Sequence, residues 1–413
     1  MIEGYDIVCM SFVAWDDYWG TSQHLMSRLA KHNRVLFVDP AVSPLSAFTR
    51  RNGAAFVRSR FERWRSGHRE VAPNLFNATP PLALPLRYFS ATNAANARLM
   101  QRWLLQVTQR LGFKRPLYWN FVPWLTGVGA SLQPQLSLYH CVDDFAALPH
   151  WWNVAGSIRT RDVRCCVEAD LVLCTAETLA QDRLAFNRNV HVVPNGADVR
   201  PACGSLGAST TPADIAALPR PVIGFSGIVD FRFDAELVAD LARRRPDWSF
   251  ALAGGSAPAD DASSDAAWGE LAGLPNVHAL GWKPRDELPE YQRAMDVCLI
   301  PFRRNQFTRG VLPLKFFEYL AAGRPVVSTN LEELTRFDRD LVRLAGDPSA
   351  FHDAIAEALE NDSPRLVEKR IAAAHEHSWD KRVELASCLI EGRLADKNDE
   401  RDTTRLLESR GVL

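Results

Sequence analysis

The chain of 413 residues contains eight cysteines but no Cys-x-x-Cys pair, and its adjacent Cys165-Cys166 is not a metal-ligand spacing. Cys9, Cys141, Cys174 and Cys298 sit inside apolar, strand-like runs, where a reduced, buried thiol is the ordinary state. No disulfide framework and no structural metal are therefore expected. Long apolar runs are also lacking, since none approaches the ~20 residues of a membrane-spanning helix. The first residues, MIEGYDIVCMSFV, start acidic and run straight into a strand-like segment, without the basic start of a secretory signal. A cytoplasmic protein is expected. An excess of either charge is missing too: 48 Lys and Arg stand against 49 Asp and Glu, a net charge of −1. That balance argues against nucleic acid as a main partner, which would favour a basic face.

What is present is a globular composition, 47% hydrophobic and 23% charged, on a chain too long for one ordinary core. Two domains are expected. The most informative stretch is residues 301–329, PFRRNQFTRGVLPLKFFEYLAAGRPVVST. Before it, Asp296-Val-Cys-Leu-Ile-Pro301 reads as a buried parallel strand. A basic loop with Arg303, Arg304, Asn305, Arg309 and Gly310 follows. Pro313 suits the first turn of a helix, Gly323 suits its end, and residues 325–329 read as the next strand.

Lys315 and Glu318, three apart, share one face of that helix. A lysine at the positive end of a helix does not serve helix stability. Together with the unpaired N–H groups of the first turn it makes an anion site suited to phosphate. Glu318, one turn further on, could accept hydrogen bonds from the paired hydroxyls of a ribose. The plain alternative is a surface Lys–Glu pair on an amphipathic helix, and spacing alone leaves both readings open.

The run PLKFFEYLAAGRPVVST resembles the nucleotide-binding signature of the GT-B glycosyltransferases of family 4, the group 1 glycosyltransferases. Within them it is similar to the teichuronic-acid and exopolysaccharide branch, with its Pro-x-Lys-x-x-Glu-Tyr-Leu pattern. In the wider family two glutamates are separated by seven residues. Glu318 matches the second, which the resemblance assigns to the donor ribose, and Gly310 stands where the first would fall. The resemblance covers roughly residues 5–395. It implies an α/β, GT-B architecture of two Rossmann-like, doubly wound domains facing across a cleft. The N-terminal domain, residues 1–199, would bind the acceptor. Residues 200–218, rich in Gly, Ser, Thr, Pro and Ala, would be the linker. Residues 219–378 would bind the nucleotide sugar, and residues 379–413 would form a last helix and a charged tail.

The first half alternates strand-like and helical stretches, with strands expected at 5–13, 34–39, 75–79, 116–122, 136–142, 171–175 and 190–194. After the first strand, Gly20 supplies a turn, Thr21 or Ser22 an N-cap, and Leu25, Met26 and Leu29 a buried stripe. By resemblance this turn is where the acceptor or donor is admitted, which makes Gly20 and His24 candidates beside Asp16 and Asp17; the plain alternative is an ordinary βα turn. Residues 49–70 carry seven arginines (50, 51, 58, 60, 63, 65 and 69) interleaved with Phe56, Phe61 and Trp64. That mix suits contact with an anionic membrane face or a solvated loop. A helix over 93–111 is expected to bury Leu99, Trp103, Val107 and Leu111.

Two further strands end in polar groups, Tyr118-Trp-Asn-Phe-Val and Leu138-Tyr-His-Cys-Val-Asp-Asp-Phe. Ligands bind outside the carboxyl ends of open parallel sheets, so His140, Asp143 and Asp144 are candidates, with the N-cap of the next helix as the plain reading of one aspartate. Val-Asp-Asp-Phe matches the same branch. Asn120 stands where wider-family enzymes often have a histidine, and the acceptor-side set is Gly20, His24, Asn120 and Asp144. Asn195-Gly-Ala-Asp198 resembles the turn that leads out of the first domain.

The second half opens with Arg220-Pro-Val-Ile-Gly-Phe-Ser-Gly227, a strand entering a glycine turn that can bring N–H groups near a diphosphate, before a helix over 234–243. Further strands are expected at 249–253, 277–282 and 297–301. Gly227, Arg232, Arg303 and Leu314 join Glu318 as donor-binding candidates. Trp282, in Gly281-Trp-Lys-Pro284, resembles the loop that faces the base. Beyond Val342 only helices are expected, the last over 381–394 and capped by Ser378, with a frayed tail from Ala395.

The function implied is a retaining, metal-independent hexosyltransferase. It would move sugar from a nucleotide-sugar substrate to a lipid-linked or polysaccharide acceptor, with no cofactor, in exopolysaccharide synthesis on the cytoplasmic face of the membrane. Lys315 and Asp143 are the catalytic candidates. A sugar-nucleotide 2-epimerase of the same fold and a non-catalytic nucleotide- or carbohydrate-binding protein are the alternatives.

Overall fold

A computed structural model of the protein describes residues 1–49, 52–85, 90–149, 153–199, 211–255 and 262–409. The chain divides into two compact units, Met1–Pro194 with Arg382–Leu413, and Asn195–Lys381. Each is built on one sheet.

The first unit contains strands β1 (Asp6–Met10), β2 (Arg34–Val38), β3 (His68–Ala72), β4 (Leu75–Ala78), β5 (Leu117–Asn120), β6 (Leu136–Cys141), β7 (Leu171–Cys174) and β8 (Val190–Val192). Its helices are α1 (Thr21–Leu29), α2 (Ser46–Thr49), α3 (Gly53–Ser66), α4 (Ser90–Arg110), α5 (Ala155–Glu168) and α6 (Glu177–Arg183). The sheet order is β3-β4-β2-β1-β5-β6-β7-β8, parallel except where β3 pairs antiparallel with β4. Strands β1, β2, β5, β6 and β7 are apolar on both faces and almost fully buried, as helices on both sides of a parallel sheet require.

The second unit contains β9 (Val222–Ser226), β10 (Ser249–Ala253), β11 (Val277–Gly281), β12 (Val297–Ile300), β13 (Val326–Thr329) and β14 (Arg343–Ala345). Around them lie α7 (Ala213–Ala216), α8 (Ala235–Arg244), α9 (Ala262–Ala272), α10 (Leu288–Ala294), α11 (Gln306–Arg309), α12 (Leu314–Ala321), α13 (Pro348–Glu360) and α14 (Pro364–Glu376). The order is β11-β10-β9-β12-β13-β14, every pairing parallel. A final helix, α15 (Trp379–Ser409), begins in the second unit and continues in the first. Two doubly wound, Rossmann-like α/β units are thus present.

Several expectations need correction. Residues 53–66 are helix rather than loop, and the following five residues make an edge strand. Arg60 is buried there because its guanidinium donates to Asp39 at 2.9 Å. Asp39 also accepts from Asn77, Thr79 and the Trp15 amide, so its charge is fully partnered, as burial demands. Arg63 and Arg69 both pair with Asp16, and Arg58 with Glu62. Arg50 and Arg51 lie outside the described residues.

Helix α4 buries Asn96, Ala97, Met100, Leu104 and Val107, whereas Leu99 is 39% exposed. A stripe taken at strict four-residue spacing drifts off a face that repeats every 3.6 residues. Residues 343–345 form a strand, not helix. The tail from Ala395 continues α15 to Ser409, held in part by Arg393 on Glu400 and the Asp170 carbonyl, and by Lys397 on Asp170. Within the expected linker, residues 200–210 lie outside the described residues. Ala213–Ala216 is helical, and Asp214 accepts from Lys283 at 2.6 Å and from Tyr291 at 2.9 Å. Among the described residues no helix is long and apolar enough to cross a membrane. Cys9, Cys141, Cys165, Cys166, Cys174, Cys298 and Cys388 are free thiols.

Candidate functional site

In the second unit, β9 has β10 on one side and β12 on the other, so the chain reverses its winding direction between β9 and β12. Ligands of open parallel sheets bind at this point, beyond the carboxyl ends of the strands. Beyond β9 lies Gly227, with φ +130°, a backbone region essentially closed to side chains. Its N–H donates to the Ala253 carbonyl at 2.9 Å, which ties the turn to the neighbouring strand.

Helix α12 carries the charged groups to this place. Pro313, at φ −66°, stands at the N-cap, no side chain caps the helix, and Gly323 ends it at φ +71°. Phe316, Phe317, Tyr319 and Leu320 form its buried face. At the far end, the buried Arg370 of α14 donates to the Gly323 carbonyl at 2.9 Å. The helix is therefore fixed along its length, and its first turn points at Gly227.

Lys315 Nζ lies 3.0 Å from the position a Cβ on Gly227 would take. It sits 5.0 Å from the centre of the Phe225 ring and 5.2 Å from that of Phe302, residues of β9 and of the segment after β12. Lys315 is thus held at the switch point by two aromatic faces, with no anionic side chain bonded to it among the described residues. Burial, and then the positive charge of Arg232, push its pKa down to about 8. A cation so placed gains most from an incoming anion.

Glu318, half-buried, has its carboxyl raised above the ordinary range by burial, with Lys315 and a hydrogen bond from Gln292 pulling the other way. Gln292 Nε2 donates to Glu318 Oε2 at 3.3 Å. Arg232 is held on Asp230, and its guanidinium lies 5.5 Å from the Phe302 ring. Arg303 is 3.8 Å from Glu236, and its N–H donates to the Arg232 carbonyl at 2.6 Å. Leu314 is the first residue of α12. Trp282, 74% exposed, stands at the end of β11, with its ring edge near Gly255. Gly310 ends α11, whose N-cap Asn305 closes a capping box with Thr308.

In the first unit the winding reverses between β1 and β5. Gly20 is the N-cap of α1, and its N–H donates to Gln23 at 3.1 Å. His24 is buried edge-on to Trp19 at 5.4 Å. Asn120 is buried and spends its side chain on the turn after β5, donating to the Val122 carbonyl and accepting from the Val122 amide. Asp144 is the capping aspartate, accepting from the Ala146 amide and from Arg159. Asp143 precedes it, half-exposed. His140 is not a surface group: it is wholly buried, its Nδ1 accepts from Trp119 at 3.3 Å, and burial pushes its pKa down to about 3.

Residues 220–361 match the family described as Glycosyl transferases group 1. The protein TuaH of Bacillus subtilis (strain 168), named as a teichuronic acid biosynthesis glycosyltransferase, is 30% identical over 278 residues, 62% of this chain and 68% of that one. The chain belongs to the group 1 glycosyltransferases. Another relative of this glycosyltransferase is the 2-deoxystreptamine glucosyltransferase of Streptomyces kanamyceticus, 27% identical over 213 residues, 48% of this chain and 52% of that one.

Solved structures carry the same GT-B fold at low identity. Sucrose-phosphate synthase from Thermosynechococcus elongatus superposes with a TM-score of 0.68 at 17% identity, covering 95% of this chain and 100% of that one. HepE from Anabaena, solved with UDP and glucose, gives a TM-score of 0.61 at 14% identity, covering 94% and 99%. No motif marks Gln292, Ser226 or Phe302, which the structure brings to the site. Their only sequence signal is position: Ser226 precedes the glycine turn, and Phe302 follows an apolar strand.

Proposed function

We propose that this glycosyltransferase moves a hexosyl group from a nucleotide-sugar donor to an acceptor hydroxyl, with retention at the anomeric carbon and without metal or cofactor. The observation that carries this reading is the placement of Lys315, in the uncapped first turn of α12, against Gly227 at the β9/β12 switch point. The donor diphosphate binds there, on Lys315, the Leu314 amide and the neighbouring Arg232 and Arg303. Glu318 takes the ribose hydroxyls, and Trp282 offers its exposed face to the base. HepE, of the same fold, has been solved with UDP-glucose.

In the reaction the bond from the anomeric carbon to the diphosphate oxygen breaks, and the acceptor oxygen bonds that carbon. The acceptor proton leaves with the nucleoside diphosphate. Negative charge grows on the leaving oxygen, and a preorganised cation there is usually the largest single contribution. Asp143 positions the acceptor or sugar. Gly20, His24, Asn120 and Asp144 shape the acceptor side through the turns they build. Retention is supported by the likeness of the α12 stretch to the retaining GT-B enzymes.

The acceptor we assign is a lipid-linked or polysaccharide chain of the cell surface, as the name of TuaH suggests. Support for work at a membrane face comes from the α2–α3 segment, where Phe48 is 87% exposed and Leu45 and Phe61 are also outside, beside the exposed Arg65. Aromatic and basic groups together favour anionic lipid surfaces. The test is a screen of UDP-, GDP-, ADP- and dTDP-sugars for thermal stabilisation and slow hydrolysis, with the product anomer read by NMR. One donor that stabilises the protein and releases sugar of unchanged anomeric configuration supports the proposal. Release with inversion, or conversion to an epimer without hydrolysis, contradicts it.

A further inference from the structure

Helix α12 makes one more attachment to the switch point. Tyr319 is fully buried, and its hydroxyl accepts a hydrogen bond from the Ser226 amide at 2.9 Å and lies 3.4 Å from the Ser226 hydroxyl. Ser226 ends β9, one residue before Gly227. Gln292, on α10 and only 3% exposed, donates through Nε2 to the Ser226 hydroxyl at 3.0 Å and to Glu318 Oε2 at 3.3 Å. A primary amide nitrogen has two donors, and here both are committed. A carboxylate has about four acceptor positions on two oxygens, so the clamp on Oε2 leaves Oε1 for a ligand.

We infer that Gln292 is a positioning residue for the nucleotide ribose. It fixes Glu318 through Oε2, presents Oε1 to a vicinal diol, and ties that presentation through Ser226 and Tyr319 to the glycine turn. The inference rests on the assignment of Glu318 to the ribose. Its physical basis is preorganisation: a glutamate side chain otherwise loses rotamer freedom on binding, and a donor locked in a buried position removes much of that cost. The diphosphate and the ribose of a nucleoside diphosphate are then read by one helix whose attachments are shared.

The experiment is calorimetric titration of the full chain with UDP, GDP and ADP, and then with the 2′,3′-dideoxy form of whichever binds tightest. Gln292→Met keeps the side-chain volume and removes both donors. Ser226→Ala, which deletes only one hydroxyl, is a second variant should the first not fold. Gln292→Met is expected to weaken the ribonucleotide at least about fivefold, as for a lost hydrogen bond to a charged group, and Ser226→Ala, which only loosens the amide that holds Glu318, at least about twofold. Binding of the dideoxy form should be unchanged in both variants, because it lacks the hydroxyls that Glu318 would meet. Equal weakening of both ligands, or of neither, overturns the role of Gln292. Glu318→Ala serves as the control. If that variant still prefers the ribonucleotide as strongly as the wild type, the ribose assignment itself fails. If the wild type binds none of the three diphosphates, the donor-site reading falls and this inference with it.

Discussion

The ammonium of Lys315 occupies the space that a side chain on Gly227 would need, 3.0 Å from the missing Cβ, and lies over the rings of Phe225 and Phe302. Glycine and lysine therefore constrain each other: the turn must be bare for the cation to reach the strand end, and the cation fills the turn. Gly227→Ala should displace Lys315 and strain a backbone at φ +130°, at a cost of ~1–3 kcal/mol. The expected result is a lower melting temperature together with weaker donor binding. Unchanged binding by calorimetry would separate the turn from the site.

Proton linkage gives a second test. Burial and Arg232 hold the Lys315 pKa near 8, so below that pH the ammonium is already formed in the free protein. A bound diphosphate favours the charged form and raises the pKa. Binding between about pH 8 and the ordinary lysine range near 10.4 should therefore take up a proton. Titrations at about pH 9 in buffers of different ionisation enthalpy should show uptake for the wild type and none for Lys315→Ala. Identical proton stoichiometry in the two proteins would mean that another group titrates.

Arg60 and Asp39 are a buried pair with side chains 3% and 0% exposed. Removing one partner strands the other in a place water cannot reach. Arg60→Met should cost ~3–5 kcal/mol, read as a lower urea midpoint at unchanged slope. A loss below about 1 kcal/mol, the range of an exposed pair, would contradict this account of how α3 is anchored.

The surface of α2 and α3 is open to a binding test. Phe48→Glu combined with Arg65→Glu changes only exposed groups and should abolish flotation with vesicles rich in anionic lipid, with the melting temperature unchanged. A wild-type protein that never floats would rule out contact with anionic lipid at this surface.

Much of the fold is legible in the sequence, because buried parallel strands such as 171–174 and 297–300 announce themselves as short, unbroken apolar runs. The α12 stretch was legible from Pro313, Lys315, Glu318 and Gly323, whose meaning is local. What escaped was non-local. Strand β3, HREVA, is a mostly exposed edge strand with no apolar alternation to betray it. Strand β14 is three residues long, too short for any period. His140 looks like a site residue in the sequence, yet its strand buries it completely. The partnership of Gln292 with Ser226 and Glu318 joins residues 66 and 26 positions apart, and only folding brings them together.

Lys315 is proposed to stabilise the negative charge that grows on the departing diphosphate in the transition state. The most direct test of this role is single-turnover transfer from the donor identified by screening, comparing wild type with Lys315→Ala at saturating donor. Loss of the ammonium should lower the rate at least about tenfold, or ~1.4 kcal/mol of transition-state stabilisation. A rate unchanged at saturation would contradict this role, and would remove Lys315 from the chemistry.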